Sequence, residues 1–476
     1  MNIKHGNTAA VFSWGLVVVC FTVFLGGCGK KEKPVQNRTL YADGDLQVAV
    51  ENAWRGDTLI IRPGTYRENL WIGKDITLMG ESKDSVILIP SRNKNFAGIQ
   101  IYGKAEVTLK NIRVECAKAV GDVVDYGLMP DQGSQVKMSD CYVSGANCYG
   151  CLIRDSKAEI VNGFFEGNKI SGAAVLNSQV KFENCMIFGN SKAGIECWTG
   201  ETTLEEVESR NQIDISGCFF RAGEYGILLK GKSGGSVKNC TVSSTGNDGI
   251  HGYNYEGSFD IEGNTVKNSR NGICLGGKDN PQTPTTVNGN TVSGSTVGVS
   301  IYGKDSVVKI TDNDCGENNF GVQVYLAKKA DVFRNSVLKS LETGIVITEP
   351  GGDVSVRENL CSQNALQGIF VYNPHAAGIV EVVDNKCFEN GRNGIWIETG
   401  KVSLEGNECC KNLYNGICIY HHVSGPIVRN TCNENKYVGI RAESTINDVR
   451  LSQNILNGNG YSAVYGFPEQ ADKTAN

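Results

Sequence analysis

Gly298-Val299-Ser300-Ile301-Tyr302 is followed by Gly321-Val322-Gln323-Val324-Tyr325, by Gly344-Ile345-Val346-Ile347-Thr348 and by Gly368-Ile369-Phe370-Val371-Tyr372. Each segment opens on glycine and then alternates inward aliphatic with outward residues that are polar or aromatic except at Val346. A period of two is the pattern of a short strand with one face buried. Its return in steps of about 23 residues marks a repeat architecture. Working outward, the same Gly-aliphatic pair begins at Gly98-Ile99 and is still present at Gly439-Ile440, with larger gaps where the chain inserts residues.

A second signal accompanies the first. Asn264, Asn290, Asn313, Asn335, Asn359, Asn385, Asn407, Asn430 and Asn454 each stand two residues before Val266, Val292, Cys315, Val337, Cys361, Cys387, Cys409, Cys432 and Leu456. A spacing of two puts both members on one face of an extended segment. Stacked in register, the asparagines form a column in which every amide bonds its neighbours above and below. A leucine-rich repeat lacks its leucine framework here, a propeller blade needs a longer period, and a left-handed β-helix needs a hexapeptide one. The expected fold is all-β: a single-stranded right-handed parallel β-helix over residues 41–467, a solenoid of roughly 17 turns. A short amphipathic helix, Leu46 to Ala53, should cap its first turn, and residues 468–476 form a tail.

The N-terminus is a targeting segment. Lys4 precedes the apolar run Val11 to Leu25, and Leu25-Gly26-Gly27-Cys28 follows. This tetrad resembles the lipobox of bacterial lipoproteins. The resemblance implies a signal peptide over residues 1–27, acylation (palmitate included) of Cys28, and a polar tether over 28–40. An uncleaved membrane anchor is the alternative; both export the chain and leave it on a membrane. By the same resemblance, Gly29 and Lys30 after the cysteine favour the outer membrane over the inner within a bacterial cell envelope. A net charge of −5 with no basic run excludes a nucleic-acid groove, and a monomer is expected.

Gly56-Asp57-Thr58-Leu59-Ile60-Ile61, then Pro63-Gly64-Thr65-Tyr66-Arg67-Glu68 and Ile76-Thr77-Leu78-Met79-Gly80, resemble the opening of pectin-lyase-like β-helix proteins. That group includes pectin esterases and the copper-maturation periplasmic proteins of nitrous oxide reductase. The resemblance implies the fold and leaves the activity open. No cofactor is named by the sequence.

Sixteen cysteines follow Cys28. Five share the inward apolar column, and Cys141, Cys185, Cys218 and Cys240 stand in for the column asparagine. Buried thiols behave as small hydrophobes, so packing without disulfides is expected for most. Metal binding is the sharper alternative. Cys148 and Cys151 form a lone pair; Cys409, Cys410, Cys418, His421 and His422 gather within two turns and have the donor types for copper or zinc.

With the interior filled, function belongs outside. Four residues beyond each glycine runs the column Tyr102, Asp131, Arg154, Trp198, Lys230, Tyr253, Gly276, Tyr302, Tyr325, Thr348, Tyr372, Glu398, Tyr420, Glu443 and Phe467, more than half of it aromatic. Two beyond the glycine stand Glu196, His251, Phe370, Trp396, Arg441 and Tyr465. Rings along an extended sheet suit the faces of a polysaccharide, with Trp198, Tyr302, Tyr325, Tyr372, Trp396 and Tyr420 as candidate binding residues. Mutual stacking of tyrosines on the sheet is the alternative. One stretch is richer in charge: Asp131, Arg154, Glu196, Lys230 and His251, flanked by Trp198 and Tyr253 and by the insertions Thr199–Gln212 and Gly277–Thr286. Polyuronate lyases and epimerases of the resembling fold neutralise a carboxylate, remove the C5 proton and supply an acid. Arg154 or Lys230 is the candidate cation, His251 or Lys230 the base and Tyr253 the acid. A hydrolase would use two carboxylates, for which Asp131 and Glu196 stand nearest; a solvated ion-pair patch is the bland alternative. Tyr372-Asn373-Pro374-His375 resembles the Asp-Pro-His-Asp motif of mannuronan epimerases, with Asn373 and Ala376 in place of both acids. A copper-handling protein and a passive scaffold are the competing readings.

Overall fold

Alternation at period two becomes parallel strand pairing throughout. The computed structural model describes residues 37–467 except 83, 91–96, 119–123, 201–208, 222, 279–283, 376–377 and 444–447. The signal segment with Cys28, most of the first long insertion, part of the second, Ala376 and the tail therefore lie outside the described residues. Most coils give one strand to each of three sheets, a few giving only a single bridging residue such as Asp314 to the third, and about 17 coils stack. In the first sheet, Val297–Tyr302 pairs with Phe320–Tyr325, which pairs with Ile345–Thr348 and then Ile369–Tyr372. The second sheet runs through Val307–Thr311, Lys329–Phe333, Val354–Arg357 and Val380–Val383. The third is made of three-residue strands such as Leu360–Ser362 and Lys386–Phe388.

In-register stacking puts like on like. Val299, Val322, Ile345, Ile369, Ile395, Ile417 and Ile440 form one interior row and are fully buried. Each contributes on the order of 2 kcal/mol by leaving water, and each also fits between the identical branches of its neighbours. The asparagine column follows the turn between second and third sheets. Asn359 Nδ2 donates to Asn385 Oδ1 at 2.9 Å and to Val332 O at 2.9 Å, while the Asn359 N–H donates to Asn385 Oδ1 at 3.0 Å. The same set recurs from Asn264 to Asn454. The residue before each asparagine takes the left-handed conformation, as at Glu358 and Asp384 with φ of 53°.

A second asparagine ladder escaped the sequence reading. Asn364, Asn390, Asn412, Asn435 and Asn459 stand five residues after members of the first, and each bonds the next in the same way. Cysteine does occupy the ladder position in the earlier coils. The Cys185 N–H donates to Cys218 Sγ at 3.3 Å, and the Cys240 N–H donates to Asn264 Oδ1 at 2.9 Å, where the thiol column hands over to the amide column. All sixteen cysteines after Cys28 are free thiols, and Cys361, Cys387 and Cys409 are adjacent rungs of one interior row.

The cap forms as its pattern requires. Helix α1, Leu46–Asn52, buries Leu46 and Val50, and its N-cap Asp45 accepts from the Val48 N–H. The Glu68 carboxylate accepts the Leu46 and Gln47 N–H groups at 2.9 and 2.8 Å, satisfying two more donors of the exposed helix end. Beside it, the buried Asp57 carboxylate takes the Arg38 guanidinium and the Trp54 and Arg38 N–H groups. The Arg38 hydrogen bonds hold it down to a pKa of about 2.

Candidate functional site

Parts of the outward columns are register rows, and the column breaks after Tyr372, whose partner is Thr399 rather than Glu398. Tyr302, Tyr325, Thr348 and Tyr372 are direct register partners, as are Lys230, Tyr253 and Gly276. Tyr102, Tyr253 and Tyr325 are exposed, whereas Trp198, Tyr302, Tyr372, Trp396 and Tyr420 are half-buried. Some of that burial is ring against ring: Trp396 makes edge contacts with Phe370 at 5.5 Å and Tyr420 at 6.4 Å.

The six charged or acid–base candidates do not form one constellation. Asp131 is buried and ion-paired with Arg154, which also donates through Nε at 3.0 Å. Glu196 is buried separately, accepting from Lys192 Nζ at 2.5 Å and Ser171 Oγ at 2.8 Å. Burial and the Glu196 charge push the neighbouring Tyr149 hydroxyl well up. The two carboxylates stand three coils apart, each held by partners in its own or the adjacent coil, so they do not face each other across a sugar. Arg154 is likewise committed to Asp131.

What does converge is the segment from Tyr225 to Tyr302. His251 Nδ1 stands 2.6 Å from Asp248 Oδ2, an ion-pair distance without hydrogen-bond alignment. The other oxygen of Asp248 accepts from Asn271 Nδ2 at 2.8 Å, which fixes the carboxylate. Three rings surround the imidazole: Tyr225 at 5.2 Å, Tyr253 at 6.2 Å and Tyr302 at 6.5 Å between centroids. Cys274 is the register partner of His251, and burial beside Asp248 pushes its thiol up to about 12. Lys230 lies one coil before Tyr253 in the same row.

Two local features build this cluster. The strand Asp248–Glu256 carries an extra residue, so its register shifts between Tyr253 and Tyr255. Tyr255 turns fully inward against Phe259, and Tyr253 is thrown out to 47% exposure. Such a bulge re-aims a side chain where a site needs it. One coil further, glycine occupies the stripe at Gly276. A Cβ there would lie 2.2 Å from the Tyr302 ring, so only glycine leaves the slot in which that ring lies back across the coil. Tyr302 then donates its hydroxyl to Gly252 O at 3.3 Å, two coils away.

Asp248, Cys274 and Tyr225 were not singled out from sequence. Tyr225 and Asp248 immediately precede Gly226 and Gly249, a position that also faces outward, and Cys274 stands in the row that holds His251. Reading those two rows completely would have found them. The cysteine and histidine group near the C-terminal end does not assemble. Cys409 faces the interior of the third sheet, Cys418 is a buried partner of Trp396 and Arg441, and His421 and His422 lie on an exposed turn. Among the described residues, a three-residue gathering of ligating groups occurs at Asp248, His251 and Cys274 instead. His375 is exposed on the turn after Tyr372, and Asn373 is buried, donating to Gly378 O.

A concavity lies over the second sheet, where Lys137, Glu159, Lys181 and Asp214 are successive register partners. Its charges alternate in sign along the row and so compensate one another, leaving no group poised for chemistry.

The fold and its family agree: the model for the right handed beta helix region matches residues 89–208, 206–306 and 251–408, and the chain belongs to that family. Over 95 residues it is 31% identical to a mannuronan C5-epimerase of Pseudomonas putida, a match spanning 20% of this chain and 18% of that protein. Among solved structures it is similar to a periplasmic alginate epimerase, with 14% identity, a TM-score of 0.40 and coverage of 77% of this chain and 82% of that one. A mannuronic acid specific polysaccharide family 6 lyase from human gut microbiota gives 14% identity, a TM-score of 0.42 and coverage of 77% and 86%.

Proposed function

We propose that the outer face of the first sheet binds an extended polysaccharide and processes it at His251. The carrying observation is the His251–Asp248 pair ringed by Tyr225, Tyr253 and Tyr302 in the middle of the aromatic rows. The short match to a mannuronan C5-epimerase supports a polyuronate as the substrate class.

In this reading the chain lies across the coils, and Lys230 faces the uronate carboxylate. That charge lowers the cost of the carbanion that forms when His251 removes the C5 proton. Asp248 stabilises the imidazolium so produced. The reaction then divides. If the C4–oxygen bond breaks, a C4=C5 double bond forms and Tyr253 gives its proton to the leaving oxygen, which is a lyase. If Tyr253 instead returns a proton to C5 from the opposite face, the sugar is epimerised and no bond is cut. Trp198, Tyr302, Tyr325, Tyr372, Trp396 and Tyr420 carry the flanking sugars. Tethering through an acylated Cys28 and the polar tether would hold this face within the bacterial envelope, on the outer membrane by preference.

The test is incubation of residues 29–476 with mannuronan, guluronan and polygalacturonate in deuterated water. Ultraviolet-absorbing unsaturated ends report a lyase; deuterium at C5 without chain cleavage reports an epimerase. Either signal should vanish in His251→Ala. Retention of glycan with neither product in the wild type would leave a receptor and defeat the chemistry.

A further inference from the structure

The donor atoms of Asp248, His251 and Cys274 all lie within 4.8 Å of one another. Ligands bonded to one ion at roughly 2.0–2.3 Å sit about 3–4 Å apart. Small side-chain adjustments therefore close the set around a single ion. Its chemistry is mixed: one carboxylate oxygen, one imidazole nitrogen, one thiol sulfur. Calcium and magnesium take oxygen shells, whereas thiolate with imidazole selects zinc-like borderline ions.

Surroundings are those of a built site. The Asp248 and His251 side chains are only 7% and 16% exposed, and Cys274 is buried. Asn271 holds one oxygen of Asp248, which leaves the other turned to His251. Outer partners of this kind orient a ligating carboxylate. His251 Nδ1 is buried without an aligned hydrogen bond, and its near neighbour is the free oxygen of Asp248 at 2.6 Å, a second ligand of the same set. Cys274 comes from the next coil in register with His251, so the parallel pairing itself sets their separation.

We infer that Asp248, His251 and Cys274 form a binding site for one zinc-class divalent ion, with a fourth position open beneath Tyr225, Tyr253 and Tyr302. Binding expels the thiol proton of Cys274, and the sulfur then bonds the metal as thiolate. Three protein ligands and an open fourth position are the arrangement of an accessible, exchangeable centre rather than a closed structural one. This goes beyond the polysaccharide reading and does not depend on it, since the ion is held by protein atoms alone; the ion and the C5 proton compete for the same His251, so base catalysis belongs to the metal-free chain.

The experiment uses the chelator-stripped chain 29–476 titrated with cobalt(II), followed by the sulfur-to-cobalt charge-transfer band, with zinc then added in competition. One equivalent should bind with that band present, and zinc should displace it. Cys274→Ser should abolish the band, and Asp248→Asn should weaken binding at least about tenfold, as loss of even an outer partner does. Cys387→Ala, in the interior column, should leave both unchanged and shows that buried packing thiols are not the source. Absence of the band from the folded wild type, or its survival in Cys274→Ser, overturns the site. If Cys274→Ser fails to fold by circular dichroism, His251→Gln supplies the same test on the nitrogen ligand. Because the readout contains no glycan, a chain that binds cobalt but turns over no polyuronate would defeat only the functional reading, and the reverse result only this one.

Discussion

Two stretches of one solenoid handle the same repeat differently. From Asn313 to Asn454 the ladder asparagines recur without a break, a second ladder runs beside them from Asn364 to Asn459, and the Tyr302–Tyr325–Thr348–Tyr372 row follows the register up to a single shift after Val371. From Tyr225 to Tyr302 the ladder begins late, one extra residue at Asn254 shifts the strand Asp248–Glu256 against both of its neighbours, and the sequence carries an insertion after Lys278. The regular stretch is stabilised by repetition, where each amide depends on the next. The irregular stretch gives up part of that repetition, and there His251, Asp248, Cys274 and three tyrosines meet. In a fold with a filled interior, side chains of different kinds converge where the rows are displaced.

Exchanging one histidine in each stretch should produce the largest contrast. His251→Ala is expected to lower polyuronate turnover at least about 10²-fold, the usual scale for a positioned acid–base group. His375→Ala, on the turn that resembles the epimerase motif, should change it by less than about threefold. Rates measured on both variants at saturating substrate check this. The opposite ranking would move the chemistry to the C-terminal stretch.

Gly276→Ala sharpens the same comparison without touching a functional group. The added methyl must displace the Tyr302 ring, and with it the wall over His251. Turnover is expected to fall about tenfold or more, with thermal stability lowered by about 1–2 kcal/mol from the clash. Paired with Tyr302→Ala, it should relieve that clash, so the double variant should be no less stable than Tyr302→Ala alone.

For stability the contrast inverts. Asn359→Ala in the regular stretch leaves the Asn335 N–H and the Val332 carbonyl without their partners and cuts the amide chain on both sides. Roughly 3 kcal/mol is expected, from about 1–3 kcal/mol for each buried group left unsatisfied. Cys218→Ala, at the equivalent ladder position earlier in the chain, removes a weaker acceptor and a small volume, so about 1 kcal/mol is expected. Urea midpoints of the two variants test the ranking. Equal losses would mean that the thiol column stabilises its coils as well as the amide column does.

Much of this was legible in the sequence because a repeat shows its rows many times. Gly298, Gly321, Gly344 and Gly368 located the first sheet, and Asn264 to Asn454 located the turn after the second. Cys361, Cys387, Cys409 and Cys432 were readable as interior because they continue the row that Val266, Val292 and Val337 occupy in earlier coils. The second ladder, at Asn364 and Asn390, was missed because asparagine at an ordinary turn gives the same local signal. The site was harder. Asp131, Arg154, Glu196, Lys230 and His251 are all outward and close in row order, but sequence does not show that Asp131 takes Arg154 and Glu196 takes Lys192. Nor does it show the bulge at Tyr253, which depends on Tyr255 finding room in the interior. Pair choice and register shift are decided by packing, after the rows are set.

The cap provides the smallest and most specific effect. Asp57 is held by Arg38 and by two backbone donors, and its pKa of about 2 lies below the ordinary carboxylate value. A group whose folded pKa is depressed stabilises above its unfolded pKa and loses that contribution as pH falls through the folded value. The difference between wild type and Asp57→Asn should therefore be constant above about pH 5 and shrink between about pH 4 and pH 2. Because Arg38 is partly exposed, solvent screening limits the ion-pair part, and about 1 kcal/mol is expected at neutral pH. The loss should appear first as faster hydrogen exchange in Thr58–Ile61, next to the cap, while the strands around Asn359 keep their protection. Exchange rising equally in both places would mean that the cap and the regular coils unfold as one unit, and would remove the energetic basis for treating the cap as separate from the regular coils.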